Sequence, residues 1–189
     1  MARELPRIIN VIDLETTCQR TEAEWPEGHK QDIIEVGIVE LDMSPEVPQI
    51  LSKTSYLVIP RRSEISEFCT ELTTITAEMI EEQGIEFTDV LEILKKKYDS
   101  KERGWASWGD FDRNMFQRQC QDLNLKYPFG PRHQNLKFLF ALMNRLSREP
   151  GMPKALEICG LPLEGTHHRG HDDAENIAKI AQIMFRKKQ

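Results

Sequence analysis

The chain has 189 residues, enough for one compact α/β domain with a full hydrophobic core and short for two. Hydrophobic residues at 39% and charged residues at 30% exclude a disordered composition, and every apolar run is too short for a membrane-spanning helix. A formal net charge of −6 argues against a protein that coats nucleic acid through a broad basic surface, but not against a metallonuclease, whose active-site acids count toward that total.

The N-terminal MARELPRIINVID has no basic region followed by a long apolar stretch and a small-residue cleavage site, so the expectation is an intracellular, cytoplasmic protein. Cys18, Cys69, Cys120 and Cys159 are far apart and show no zinc-ligand spacing, which predicts reduced, structural cysteines. Three short basic clusters, Arg61-Arg62, 95–97 and 186–188, read either as guides for a nucleic-acid strand or as solvated surface.

In chain order, apolar alternation predicts strands over 8–14, 33–41 and 51–59, joined by polar turns and forming an antiparallel meander. The connection 19–31, with Trp25-Pro26-Glu27-Gly28, has no periodicity and reads as a long loop placed to close over a substrate. Helical patterns follow in AEMIEEQ and FTDVLEILKKKY, where Phe87, Val90, Leu91 and Leu94 recur at helical spacing. WASWG at 105–109 reads as a short buried strand, 113–123 as a helix, and 133–136 as a strand. Helices over 138–146, 154–159 and 172–186 complete the chain. A meander followed by strands alternating with helices predicts one α/β domain over 1–189, a mixed sheet flanked by helices.

The chemistry begins in VIDLETT at 11–17. On a strand Ile9, Val11, Asp13 and Glu15 share one face, so an apolar stripe runs into two carboxylates about 6 to 7 Å apart. Such a pair resists burial unless a proton or cation lies between its members. Two-cation phosphoryl-transfer sites draw in further carboxylates from elsewhere in the chain. In WGDFD, Asp112 projects onto the helical stripe Met115, Phe116, Cys120 and Leu123, whereas Asp110 projects onto Arg113, Asn114 and Gln117. In the second acidic pair, Asp173 heads the apolar face of Ile177, Ile180, Ala181 and Met184; Asp172 leads to Glu175, Asn176 and Lys179 and is assigned to capping the helix. Either these core-facing acids converge on metal, or each is hydrogen-bonded locally; patterning leaves both readings open. Of His167, His168 and His171, any one is placed to accept a proton from water at a metal site, while a zinc site built on the three would still need a ligand that no spacing supplies.

Residues 13–16, DLET, resemble the first motif of the DEDDh 3′-to-5′ exonucleases. Asp112 with Phe116 resembles the second, and His168 with Asp173 in HRGHDD the third. EFCTELTTIT at 67–76, ETTC, KYPFG and HRGHDDAENIA are similar to the branch that includes the histone-mRNA 3′ exonuclease and the enhanced-RNAi exonucleases, with Thr74 at the branch's usual glycine and Thr16 where alanine is frequent. The resemblance runs over about 8–184, almost the whole chain. It implies an RNase H-like exonuclease fold with a five-stranded mixed sheet. It also implies two Mg²⁺ or Mn²⁺ ions held by Asp13, Glu15, Asp112 and Asp173, with His168 as the base that activates water. The implied activity is hydrolysis of single-stranded 3′ ends, RNA more than DNA, releasing nucleoside 5′-monophosphates. A proofreading-type DNA exonuclease and a non-catalytic binding module are the alternatives.

Overall fold

The computed structural model describes residues 7–187, so Lys188 and the first six residues lie outside the described residues. Strands β1 (Ile8–Thr16), β2 (Ile33–Asp42) and β3 (Gln49–Leu57) form the expected antiparallel meander. β4 (Trp105–Ser107) joins β1 in parallel and β5 (His133–Asn135) joins β4 in parallel, giving a five-stranded mixed sheet in the order β3-β2-β1-β4-β5.

The helices are α1 (Glu67–Thr73), α2 (Ala77–Gln83), α3 (Phe87–Lys96), α4 (Phe111–Asp122), α5 (Leu136–Met143), α6 (Met152–Cys159) and α7 (Gly170–Met184). Local chemistry sets several of their starts: Ser66, Thr76 and Asn135 each accept an amide of the first turn, from Cys69, Met79 and Phe138. The sequence patterning passed over α1 (EFCTELT), although it read α2, of the same seven-residue length, as helical. It also started α4 and α5 two residues late and carried α5 three residues too far, to 146. The last helix begins at Gly170, two residues before the expected start.

Both faces of the sheet are covered. Ile12 and Leu14 of β1 pack with Val36 and Ile38 against α3 and α4, whereas Val11, Val39 and Leu41 pack against α5, α6 and α7. Burial of Ile177 and Ile180 of α7 in full contributes about 1.5 to 3 kcal/mol each. β1 is therefore a central strand covered on both faces, and the acids stand at its C-terminal end. Phe116 is also fully buried, packed between Trp105 and Phe129, so the aromatic of the second motif belongs to the core. Among the described residues no helix is long and apolar enough to cross a membrane.

Two of the basic clusters are partly paired within the fold. Arg61 pairs with Glu86, Arg62 with Asp32 and Asp122, Lys95 and Lys96 share Glu92, and Lys97 donates to the Tyr56 hydroxyl. Cys18, Cys69, Cys120 and Cys159 are free thiols.

Candidate active site

Asp13 and Glu15 emerge at the carboxyl end of β1, opposite Gly37 and Glu35 of β2. The register shifts between Glu15 and Thr16, a bulge of the kind that turns a strand end and re-aims its side chains. Asp112 sits in the first turn of α4, just beyond β4, and is 4% exposed. One of its oxygens accepts the Leu14 amide at 3.0 Å, which joins α4 to β1 between the two strand acids. Asp173, 5% exposed, sits in the first turn of α7 and accepts the His168 amide at 3.0 Å and His167 Nδ1 at 2.9 Å.

One oxygen from each of Asp13, Glu15 and Asp173 lies within 4.8 Å of the other two. Asp112 is not in that group of three, but it is joined to β1 between Asp13 and Glu15 through the Leu14 amide. Electrostatics unite all four. Burial pushes Asp13 well above the usual carboxylate range, and the charges of Asp112, Glu15, Asp173 and Glu35 push it further. Glu15 is raised to about 9, by burial first and then by Asp173, Glu35 and Asp112. Asp112 is raised to about 6 by burial, against the opposing pull of the Leu14 amide and the Ser107 hydroxyl. Burial also raises Asp173, against its histidine contacts. Hard carboxylate oxygens at this spacing, raised in pKa by burial and by their neighbours' charges, are the donor set suited to Mg²⁺ or Mn²⁺.

Asp13, Glu15 and Asp173 form the floor of a cleft of about 370 Å³. Leu72 of α1, Trp108 and Phe111 before and at the start of α4, Met152 and Pro153 of α6, and Cys18 form its walls, together with His167 and His168. Phe111 is half exposed beside the acids. No described residue of the connection 19–31 lines the cleft; that segment carries a short 3₁₀ turn at Glu22–Glu24 and is tied down by Lys30 on Asp122.

The histidines differ from one another. His168 lies in the left-handed backbone region at φ 65°, which costs a non-glycine residue about 1 to 2 kcal/mol. Its ring stacks on His167 at 3.9 Å, and burial together with that neighbour lowers its pKa below the ordinary value, so it is neutral at neutral pH. His171 turns away, with Nδ1 3.2 Å from Glu35, so the three histidines do not share one ligand set; His167, His168 and Asp173 do come together.

Asp110 pairs with Arg113 at 3.0 Å and accepts from Asn135 at 2.9 Å, on the polar side of α4 as its projection indicated. The capping role expected of Asp172 is corrected. α7 is already under way at Asp172, whose oxygens meet Lys53 Nζ at 2.6 Å and the Thr166 amide at 2.8 Å, so it fastens the preceding loop rather than the helix start. Glu35 is the acid that patterning missed. It is fully buried on β2, and burial raises its pKa less than Arg169, Ser55 and the Gly170 amide lower it. The signal was present: within IIEVGIVEL, Glu35 interrupts the stripe Ile33, Gly37, Val39 and Leu41 just as Asp13 interrupts its own.

A mixed sheet of this order, with acids converging where β1, α4 and α7 meet, is the architecture of the RNase H-like exonucleases. The chain belongs to the exonuclease (RNase T) family, whose model matches residues 10–181. Rat 3′-5′ exoribonuclease 1 is 31% identical over 94% of this chain and 52% of its own length; this chain thus spans about half of that relative. A Bacillus subtilis protein described as a probable 3′-5′ exonuclease, KapD, is 26% identical over 95% of this chain and 85% of its own. The solved nuclease domain of 3′hExo, a DEDDh family member bound to rAMP, superposes with a TM-score of 0.82 at 28% identity, over 94% of this chain and 91% of that one. The family depends on divalent metal, in keeping with the acid cluster.

Proposed function

We propose that the chain is a metal-dependent 3′-to-5′ exonuclease that removes nucleotides from single-stranded 3′ ends, RNA in preference to DNA, in the processing of RNA. The observation that carries this reading is the convergence of Asp13, Glu15 and Asp173 within 4.8 Å at a cleft floor, with Asp112 bonded to the strand between them. The preference for RNA rests on the relatives described as exoribonucleases and on the neighbour bound to rAMP.

In this reading Asp13, Glu15, Asp112 and Asp173 hold two divalent ions, Mg²⁺ or Mn²⁺. Bound there, such ions supply Lewis-acid stabilisation of charge on the phosphoryl oxygens and lower the pKa of water. The Leu14 amide and the Ser107 hydroxyl orient Asp112. His168, neutral because it is partly desolvated, takes the proton of the attacking water at a ring nitrogen. The water oxygen bonds to phosphorus as the bond to the 3′ oxygen breaks, and the departing oxygen takes a proton from solvent, leaving a shortened strand with a 3′ hydroxyl and a nucleoside 5′-monophosphate. Phe111 and Trp108 offer aromatic faces to the terminal base, a contact that tolerates any base. His167, hydrogen-bonded to Asp173, steadies that acid.

Anomalous diffraction from crystals soaked in Mn²⁺ tests the metal assignment. Peaks between the four carboxylates are expected, and a map without them at millimolar Mn²⁺ would reject it.

A further inference from the structure

Glu35 does not line the cleft, yet it is an acid with no exposed surface, on the strand next to the acid cluster. An ionised group in that place is costly unless its partners require it. Besides the Ser55 hydroxyl, its partners are three consecutive residues. One oxygen accepts the Gly170 amide at 2.7 Å and Arg169 Nε at 3.2 Å; the other lies 3.2 Å from Arg169 Nη2 and 3.2 Å from His171 Nδ1. These residues directly follow His168, whose backbone is in the left-handed region. A strained residue persists only where its surroundings fix it from both sides. On one side the His168 amide is held by Asp173. On the other, Glu35 holds Arg169 and Gly170.

The turn has little room to move. A Cβ on Gly37 would lie 1.9 Å from the Gly170 carbonyl carbon, and one on Gly170 would lie 3.1 Å from the Asp13 carbonyl oxygen. The start of α7 therefore rests on the backbone of β1 and β2 beside the first acid, and the Glu35 carboxylate sets how it rests there.

We propose that Glu35 is a positioning residue for His168, acting through the bidentate Arg169 contact and the Gly170 amide to keep the strained turn closed and the imidazole facing the cleft. This rests on the reading of His168 as the base. Glu35→Gln keeps an acceptor and the side-chain volume but removes the charge that holds the guanidinium.

The test measures kcat and KM on a 5′-labelled single-stranded RNA oligonucleotide at saturating Mg²⁺, with Mn²⁺ binding followed by electron paramagnetic resonance and folding by thermal melting. Glu35→Gln should lower kcat about tenfold to a hundredfold, the usual scale for outer-shell partners, with KM and Mn²⁺ affinity changed by less than about threefold. In a His168→Ala background the same substitution should cost less than about threefold, because the group it positions is gone. Arg169→Gln, which leaves the Gly170 amide bond intact, should move kcat in the same direction by less, and decides the matter alone if Glu35→Gln fails to melt cooperatively. Wild-type kcat in the Glu35 or, in that case, the Arg169 variant, full additivity with His168→Ala, or loss of Mn²⁺ would each overturn the inference while leaving the exonuclease reading intact. Wild-type kcat in His168→Ala would instead remove the base assignment, and the inference with it.

Discussion

Replacing Glu15 by Gln should stabilise the metal-free protein. The folded Glu15 carboxyl titrates at about 9, because it is buried beside Asp173, Glu35 and Asp112, whereas its ordinary value is 4.5. Between those two values the native protein binds a proton that the unfolded chain has released, so stability falls as pH rises from about 4.5 toward about 9. At a pH of about 7.5 the difference is about a thousandfold in proton binding, an upper figure of about 4 kcal/mol. Water entering the cleft and relaxation of the loop before α7 reduce this, to about 1 to 2 kcal/mol realised. Gln keeps the shape and carries no charge, so the variant escapes the penalty. Urea unfolding in EDTA at pH about 7.5 should place Glu15→Gln above wild type by at least about 1 kcal/mol, with the gap closing near pH 4.5. Added Mn²⁺ should then raise the stability of wild type more than that of the variant. A variant no more stable than wild type at the higher pH, or a gap that does not shrink in acid, would refute the electrostatic argument.

Asp112→Asn and Asp173→Asn should each lower kcat by about a thousandfold or more, the scale of lost transition-state electrostatics, while Asp110→Asn keeps most of the rate; steady-state kinetics on labelled RNA reads the contrast. Asp172→Asn should cost about 1 to 3 kcal/mol in urea unfolding through its buried bonds to Lys53 and Thr166, with turnover per folded molecule retained. At saturating Mg²⁺, kcat should climb with pH as His168 loses its proton, with the midpoint of the climb below the ordinary histidine value of 6.5; His168→Ala should flatten that limb and lower kcat by about 10² to 10⁴. Phe111→Ala should raise KM about tenfold with little change in kcat, as expected when about 1 to 3 kcal/mol of stacking is lost.

The legibility of the site in the sequence followed from burial. Asp112 and Asp173 were separable from Asp110 and Asp172 because α4 and α7 each carry a continuous apolar stripe, and a stripe tells which way a helix faces. The same reasoning misjudged Asp172. Its side of α7 looks polar, but the loop around Glu164 and Thr166 folds over it, with Asn176 bonded to the Glu164 backbone; a helix wheel shows polarity and not what lies across from it. Glu35 was legible in principle, as an acid in a buried stripe. The strand register that sets it opposite Glu15, and the Arg169 that it meets 134 positions away, are long-range facts. The cleft walls were hidden for that reason too: Leu72, Phe111 and Met152 come from three helices whose approach no local pattern encodes.

The most direct measurement is a time course on a 5′-labelled single-stranded RNA oligonucleotide, resolved nucleotide by nucleotide, with Mg²⁺ or EDTA and a matched DNA strand alongside. Stepwise shortening from the 3′ end, release of nucleoside 5′-monophosphates, faster loss of RNA than DNA, and silence both in EDTA and in Asp173→Asn are predicted. An RNA strand left intact with Mg²⁺ and with Mn²⁺, or degraded equally by Asp173→Asn, would contradict the account.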